Sequence, residues 1–402
     1  MPISVRRQSF LFYVASKFER SHTWFSNSFK KLFQNLKHPL KALESVRIKK
    51  NNLKMIKFKL KKTQFVISWP TYDWNIPLKQ RPQHIAEKIA KFTPYSYVFC
   101  TKNIYDKNQG INEITEGLYL TNDFWAYAKM ASRIHVYSTD PNLTLRQFKK
   151  IEKLGIPIIY EILDEINTDL QGGNVKKTLS RHTYALNSIQ LETIIITAQG
   201  LKNGIPKTLH KKISYIPNAC DPEHFQLQHI PKKESVIGYF GALASWFDYE
   251  LIRYSALQNP NWSFLLIGID YDGSLAKSRI LNLTNIEYLG VVDYEKLPSK
   301  IQFSVAVLPF ILNDITLGTS PIKIFEYLAS GFPVISAALP ECLGIEHVAK
   351  YETREEFNSQ IMNELRNDTH TRRMERREYA MGQTWESRAL AYFPQLEEVR
   401  SE

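Results

Sequence analysis

Thr319-Ser-Pro-Ile-Lys-Ile-Phe-Glu-Tyr-Leu-Ala-Ser-Gly-Phe-Pro-Val-Ile-Ser336 reads as a helix with both ends marked, followed by a strand. Ser320 is a good N-cap, because its hydroxyl can accept from a first-turn amide. Pro321 then occupies the first helical position, where a missing N–H costs nothing. Gly331 takes the left-handed conformation that ends a helix, and Pro333 prevents its continuation. Phe332 to Ile335 read as a short buried strand. A helix start preceded by Leu317-Gly-Thr-Ser320 presents free amides and the positive end of a dipole, which suits a phosphate. Lys323, in the first turn, adds a charge to the same anion. Glu326, one turn on, suits a sugar hydroxyl pair. The competing reading makes Lys323 and Glu326 a solvated ion pair on an ordinary strand–helix unit.

Working outward, short apolar strands alternate with polar-faced helices on both sides of this stretch, the mark of parallel α/β sheets. Strands are expected at 64–69, 97–100, 118–120, 134–137, 157–162, 193–197 and 213–216, with a helix over 80–91. A second set is expected at 236–240, 263–267, 286–289 and 305–308, with a helix over 247–256. Ligands of open parallel sheets bind outside the carboxyl ends of strands. In the first half that rule selects Asp73, Arg81, Asp140, and Asp164 with Glu165. Arg81 at a helix start opposes the dipole; an acceptor phosphate and a surface arginine with a local carboxylate are the two readings. Asp164, directly after a strand, is the leading candidate base and Asp140 the second; the alternative for either is an N-cap. His84 and His135 read as packing residues, and His182 can face either way. In the second half, Gly241 directly follows a strand, so the backbone can approach a ligand closely. The three-glycine dinucleotide fingerprint is missing there, which leaves nicotinamide cofactors without support.

The 402 residues allow two or three domains, and 44% hydrophobic content is that of a globular chain. No apolar run approaches the ~18 residues of a membrane span. The apolar run after Arg6 and Arg7 is short, so a signal peptide is disfavoured. Cys100, Cys220 and Cys342 are widely spaced and read as buried free thiols in a reducing cytosol, with no metal ligand set among them. The net charge of +12 is concentrated at one end: residues 1–62 hold 16 of the 52 Lys/Arg and 2 of the 40 Asp/Glu. Aromatic and aliphatic residues recur there among lysines, as in a basic amphipathic helix. Such a segment fits an anionic membrane surface; nucleic-acid binding and a disordered basic arm are the competing readings.

The opening stretch resembles the donor-binding helix of GT-B glycosyltransferases, in the large group of family 4-like enzymes. Its Pro-x-Lys-x-x-Glu-Tyr-Leu-Ala-x-Gly-x-Pro-Val-Ile pattern carries the likeness. Ile216-Pro-Asn-Ala-Cys-Asp-Pro-Glu-His-Phe225 is similar to that group's interdomain segment. Ile237-Gly-Tyr-Phe-Gly-Ala242 with Trp246 to Ile252, and Asn285-Ile-Glu-Tyr-Leu-Gly290, resemble its donor domain. Trp69 to His84 resembles its first loop, and Thr384-Trp-Glu-Ser-Arg-Ala-Leu390 its closing helix. The resemblance implies α/β architecture with two Rossmann-like parallel-sheet domains facing a cleft. The expected division is a basic extension over 1–62, an acceptor-side domain over 63–230, a nucleotide-sugar domain over 231–372, and a returning helix over 373–402.

It also implies a glycosyltransferase (a hexosyltransferase of the EC 2.4 class) that moves sugar from a nucleotide-sugar to a glycan or lipid-linked acceptor in surface polysaccharide or glycolipid synthesis. Retention of configuration, independence of metal and the absence of any cofactor belong to the same expectation. Lys323 would stabilise the leaving phosphate and Glu326 would hold the nucleotide ribose. Gly241, Gly318, Thr319 and Ser320 would contact the pyrophosphate or sugar, and Asp164 would be the base. Asp73, Arg81 and Asp140 fall on the acceptor side. Many such enzymes act on lipid-carried acceptors, which weights residues 1–62 toward a membrane. The expected place is the cytoplasmic, inner membrane face, with no nucleic-acid partner. Two departures stand out. The family commonly has a glutamate eight residues before Glu326, where this chain has Gly318, and a basic pair after the first donor-domain strand, where Ala242 to Asp248 has no Lys or Arg. Either Lys323 does more of the work, or activity is weak or absent. A non-catalytic GT-B protein binding a glycan or partner at the membrane surface is the alternative, and a nucleotide-sugar epimerase is a distant third.

Overall fold

The computed structural model describes residues 54–56, 59–60, 62–76, 79–167, 175–228 and 235–394. Residues 60–402 form a compact unit, divided from residues 1–59. The basic extension expected over 1–62 lies almost wholly outside the described residues, and the expected start of the second domain at 231–234 lies wholly outside them.

Residues 60–402 contain two sheets. The first runs β1 Phe65–Ser68, β2 Ser96–Cys100, β3 Ile111–Thr115, β4 Leu118–Thr121, β5 Arg133–Tyr137, β6 Ile158–Ile162, β7 Leu191–Ile196 and β8 Ile213–Tyr215, in spatial order 3-4-2-1-5-6-7-8. All neighbouring pairs are parallel except β3–β4. The second runs β9 Ser235–Phe240, β10 Trp262–Ile267, β11 Ile286–Tyr288, β12 Val305–Leu308, β13 Val334–Ala337 and β14 Val348–Tyr351, in order 11-10-9-12-13-14, all parallel. β1, β6, β12 and β13 are buried at every position. Their apolar runs are therefore continuous, as helices on both faces of a parallel sheet require. The strand order reverses at β1 in the first sheet and at β9 in the second. Such switch points open a crevice at the strands' carboxyl ends. The edge strands β3 and β14 escaped the sequence reading.

The longer helices are α1 Arg81–Phe92, α2 Leu145–Glu152, α3 Val175–Leu186, α4 Tyr249–Gln258, α5 Ile322–Ala329, α6 Arg354–Asn367, α7 His370–Met381 and α8 Trp385–Ala391. α8 returns to the first lobe. Trp385 stacks on His84 of α1, with ring centroids 4.8 Å apart, and Tyr392 and Phe393 join the first-lobe core. α7 stays with the second lobe: Arg377 donates to the Ala329 carbonyl at 2.7 Å and Arg376 to that of Gly331 at 3.0 Å. The expected boundary at 373 thus falls inside α7, and the chain crosses back only after Gly382. Cys100, Cys220 and Cys342 are buried and unbridged. Among the described residues, no helix is long and apolar enough to cross a membrane.

Candidate active site

Between the lobes lies a cavity of about 540 Å³. The first lobe lines it with Gln80 and Arg81 at the head of α1, Leu163 and Asp164 after β6, and Thr197 after β7. The second lobe contributes the ends of β9 and β10, including Gly241 and Gly268, and the approach to α5 from Ile315 to Lys323. Trp246, Ile269, Tyr271, Val291 and Phe310 form an apolar wall.

The head of α5 differs from its sequence reading by one residue. Pro321 is the N-cap, in extended conformation, and Ile322 is the first helical residue. Ser320 cannot cap because it is engaged elsewhere: its Oγ accepts the Asn218 amide at 3.0 Å and its carbonyl accepts Asn218 Nδ2 at 2.6 Å. No side chain caps α5. Its first-turn amides therefore keep their donors for an anion. At the other end Gly331 has φ +80°, as a helix-terminating glycine should.

Lys323 lies against Gly241. A Cβ on Gly241 would stand 2.5 Å from Lys323 Cε and 3.2 Å from Nζ, and the residue's φ is +145°. Only glycine lets the lysine lie across the end of β9. Burial lowers the Lys323 pKa, against the opposing pull of Glu326 and Asp164. No salt bridge to Lys323 occurs among the described residues. Burial pushes Asp164 up to about 6, with Lys323 opposing and Glu165 adding to the rise. Glu326 is 4% exposed and burial pushes it up to about 8, against Lys323. Lys323 and Glu326 are therefore not a solvated ion pair. Glu326, one turn past Ile322, is not among the residues that line the cavity, and no hydrogen-bond donor reaches its carboxyl among the described residues.

Thr319 and Ser320 line the cavity; Gly318, next to Thr319 in the chain, does not. Thr319 Oγ1 donates to the Ile315 carbonyl at 2.7 Å. A Cβ on Gly318 would meet Cγ of Glu165 at 3.0 Å, so the glycine makes room for a first-lobe carboxylate.

The expected acceptor-side residues are placed differently. Arg81 lines the cavity but is 3% exposed and pairs with Glu161, which is itself fully buried. Its Nη1 donates to the Pro217 carbonyl at 2.9 Å and to Asn218 Oδ1 at 3.2 Å. Neither earlier reading holds, because the cation is neither free for a phosphate nor on the surface. Asp73 is buried and accepts from Thr101 Oγ1 at 2.8 Å and from the Tyr105 amide at 2.6 Å. Asp140 is buried and accepts from Trp69 Nε1 and the Asn142 amide, each at 2.9 Å. These two carboxylates brace loops and do not line the cavity. His135 is buried against Glu161, and His182 shares a hydrogen bond with Tyr160 at 3.1 Å. Asn218 and the wall residues Trp246 and Tyr271 were not singled out as site residues from sequence, whereas Glu165 was selected with Asp164 by the strand-end rule. Asn218 and Trp246 carried a signal only as parts of the segments 216–225 and 246–252. Among the described residues no group of three or more His, Cys, Asp or Glu is placed to hold a metal ion.

No protein-family model matches the chain. Over 119 residues it is 29% identical to TuaH of Bacillus subtilis (strain 168), provisionally named a teichuronic acid biosynthesis glycosyltransferase; the match spans 29% of this chain and 30% of that protein's length. Among solved structures, a sucrose-phosphate synthase from Thermosynechococcus elongatus superposes with a TM-score of 0.60, 13% identity, and coverage of 84% of this chain and 99% of that one. HepE from Anabaena, solved in complex with UDP, gives 0.61, 13%, 84% and 100%. With its paired parallel sheets and intervening cleft, the chain has the GT-B fold seen in these structures.

Proposed function

We propose that the chain is a glycosyltransferase that moves a sugar from a UDP-sugar to a glycan or lipid-linked acceptor in surface polysaccharide or glycolipid synthesis. One observation carries the reading: Lys323 and the uncapped head of α5 face Asp164 across a cleft at the carboxyl ends of two parallel sheets. The partial likeness to TuaH and the UDP bound to HepE support it. The glycosidic C1–O bond breaks, its electron pair leaves with the nucleoside diphosphate, and the acceptor oxygen bonds to C1. Lys323 and the α5 amides, fixed before the reaction, stabilise the charge gathering on the leaving phosphate. No metal is assigned to this task. Asp164 takes the acceptor's proton. Glu326 is assigned the nucleotide ribose through its match to the family's helix glutamate. Retention of configuration is part of the proposal: with no nucleophile assigned, the acceptor oxygen bonds to C1 on the face from which the diphosphate leaves. So is attachment of residues 1–62 to the inner face of an anionic membrane, which rests on the charge of that segment.

The test is a thermal-shift panel of the purified chain against UDP, GDP, CMP and ADP and their sugar conjugates, without added metal. A ligand that binds only the folded state raises its apparent stability. A shift with UDP that is lost in Lys323→Ala supports the reading. No shift with any nucleotide, in folded protein, supports the non-catalytic alternative.

A further inference from the structure

Ser320 has the local sequence to cap α5 and does not. As N-cap, with Pro321 at the first helical position, its hydroxyl would accept from the Ile322 or Lys323 amide and its carbonyl from that of Ile324. Pro321 already has a helical φ of −73°, and its ψ of 110° keeps it outside the helix. Little more than this torsion separates an uncapped helix head from a capped one. Both atoms that the cap would use are held by Asn218: its amide donates to Ser320 Oγ at 3.0 Å and its Nδ2 to the Ser320 carbonyl at 2.6 Å. Asn218 is held in turn. Its Oδ1 accepts from Arg81 Nη1 at 3.2 Å, and the preceding Pro217 carbonyl takes Arg81 at 2.9 Å and Arg388 at 3.1 Å. Arg81 is itself fixed by Glu161. Asn218, Arg81, Ser320 and Lys323 all line the cavity, where Lys323 has no salt bridge among the described residues.

Resting on the donor reading above, we propose that Asn218 is a positioning residue for the leaving diphosphate: anchored to the buried Arg81–Glu161 pair of the first lobe, it withholds Ser320 from α5 and leaves the first-turn amides to the phosphate. In the capped register Ser320 takes two of those amides, and a phosphate has to displace it to bind. The hold on Ser320 comes from 102 residues away, so the donor helix is set for its ligand only where the lobes meet at the interdomain segment. The ion pair, which has no free charge to offer a substrate, thereby takes part in donor binding.

Isothermal titration calorimetry of the full chain with UDP and with uridine tests this on wild type, Asn218→Ala, Ser320→Ala and the double variant. Asn218→Ala is expected to weaken UDP about fivefold, the weight of one helix cap. Uridine, which has no phosphate, is expected to bind as it does to wild type. In the Ser320→Ala background, where no hydroxyl can cap, the same substitution is expected to cost less than about twofold, the scatter of independent changes. Asn218→Ser, which keeps a hydroxyl to accept from Arg81, carries the same cycle should Asn218→Ala not fold. A loss that persists without the Ser320 hydroxyl overturns the inference, as does equal weakening of UDP and uridine, which would make Asn218 a support of the whole cavity. Unchanged UDP affinity in folded Asn218→Ala overturns it while the donor reading stands. Failure of UDP to bind folded wild type overturns the donor reading and the inference with it.

Discussion

Arg81 and Glu161 form an ion pair sealed inside the first lobe, with 3% and 0% of their side chains exposed. His135 Nε2 lies 2.6 Å from Glu161 Oε2, and Tyr392 donates to the same oxygen at 2.8 Å. Burial alone would raise the Glu161 pKa; Arg81, His135 and Tyr392 outweigh it and hold the group at about 2, below its ordinary 4.5. A carboxylate depressed in the folded state contributes stability that is present above the unfolded pKa and lost as pH falls through the folded one. Glu161→Gln is expected to lose about 3–5 kcal/mol at pH 7, because it strands the buried Arg81 charge. In urea titrations the gap to wild type should narrow as pH falls from 4.5 toward 2. A gap independent of pH would show that the pair does not set acid stability.

Lys323 depends on Gly241 for its place at the end of β9. Lys323→Ala is expected to lower kcat/KM about 100-fold or more, the scale of losing one preorganised donor to developing charge. Gly241→Ala should match it, since the added methyl expels the lysine, while the circular dichroism spectrum stays that of wild type. Full activity in folded Gly241→Ala would move the leaving-group contact elsewhere.

Local signals and long-range ones fared differently in the sequence. The end of α5 at Gly331 and the strand after it were legible, because glycine and proline act on their own neighbours. The start of α5 was misplaced by one residue because Ser320 bonds Asn218, 102 positions away. Arg81 looked available for a ligand because its carboxylate lies 80 residues on and its tyrosine partner 311. Asp73 and Asp140 were selected by a rule about strand ends that is blind to which loop amides are already waiting there. β3, exposed at four of its five positions, has neither alternation nor a continuous apolar run to announce it. Glu165 and Gly318 meet only because the two lobes do, and nothing local records that contact.

Asp164 should set the acid limb of the rate profile. Burial, with a smaller push from Glu165, raises it to about 6 although Lys323 pulls the other way. If it takes the acceptor's proton, log kcat/KM falls with unit slope below about pH 6. Asp164→Asn should then flatten that limb and lower the plateau by roughly 10²–10⁴, the usual weight of a positioned base. A variant that keeps the limb assigns it to another group.

Glu326 titrates in the opposite sense to Glu161. Burial raises it to about 8, so the folded chain keeps this proton at neutral pH. Between its ordinary 4.5 and 8 the unfolded chain has released the proton and the folded chain has not, so stability falls as pH rises through this window. Glu326→Gln removes the effect. Its melting temperature relative to wild type should therefore be higher at pH 8.5 than at pH 5, while Glu326→Ala weakens nucleotide binding. An unchanged nucleotide affinity would remove Glu326 from the donor site.

Residues 1–62 hold 16 Lys/Arg against 2 Asp/Glu, whereas the rest of the chain is nearly balanced at 36 against 38. Each basic residue held near an anionic leaflet contributes about 1 kcal/mol, screened by salt. The full chain should cosediment with phosphatidylglycerol vesicles at low salt and be released as salt rises. Residues 60–402 are a compact unit of their own, so a chain starting at Gln64 should keep its fold and its nucleotide response. It should stay in the supernatant at every salt concentration. Equal sedimentation of the shortened chain would place the membrane contact on residues 64–402; sedimentation of neither would leave the basic segment to another anionic partner.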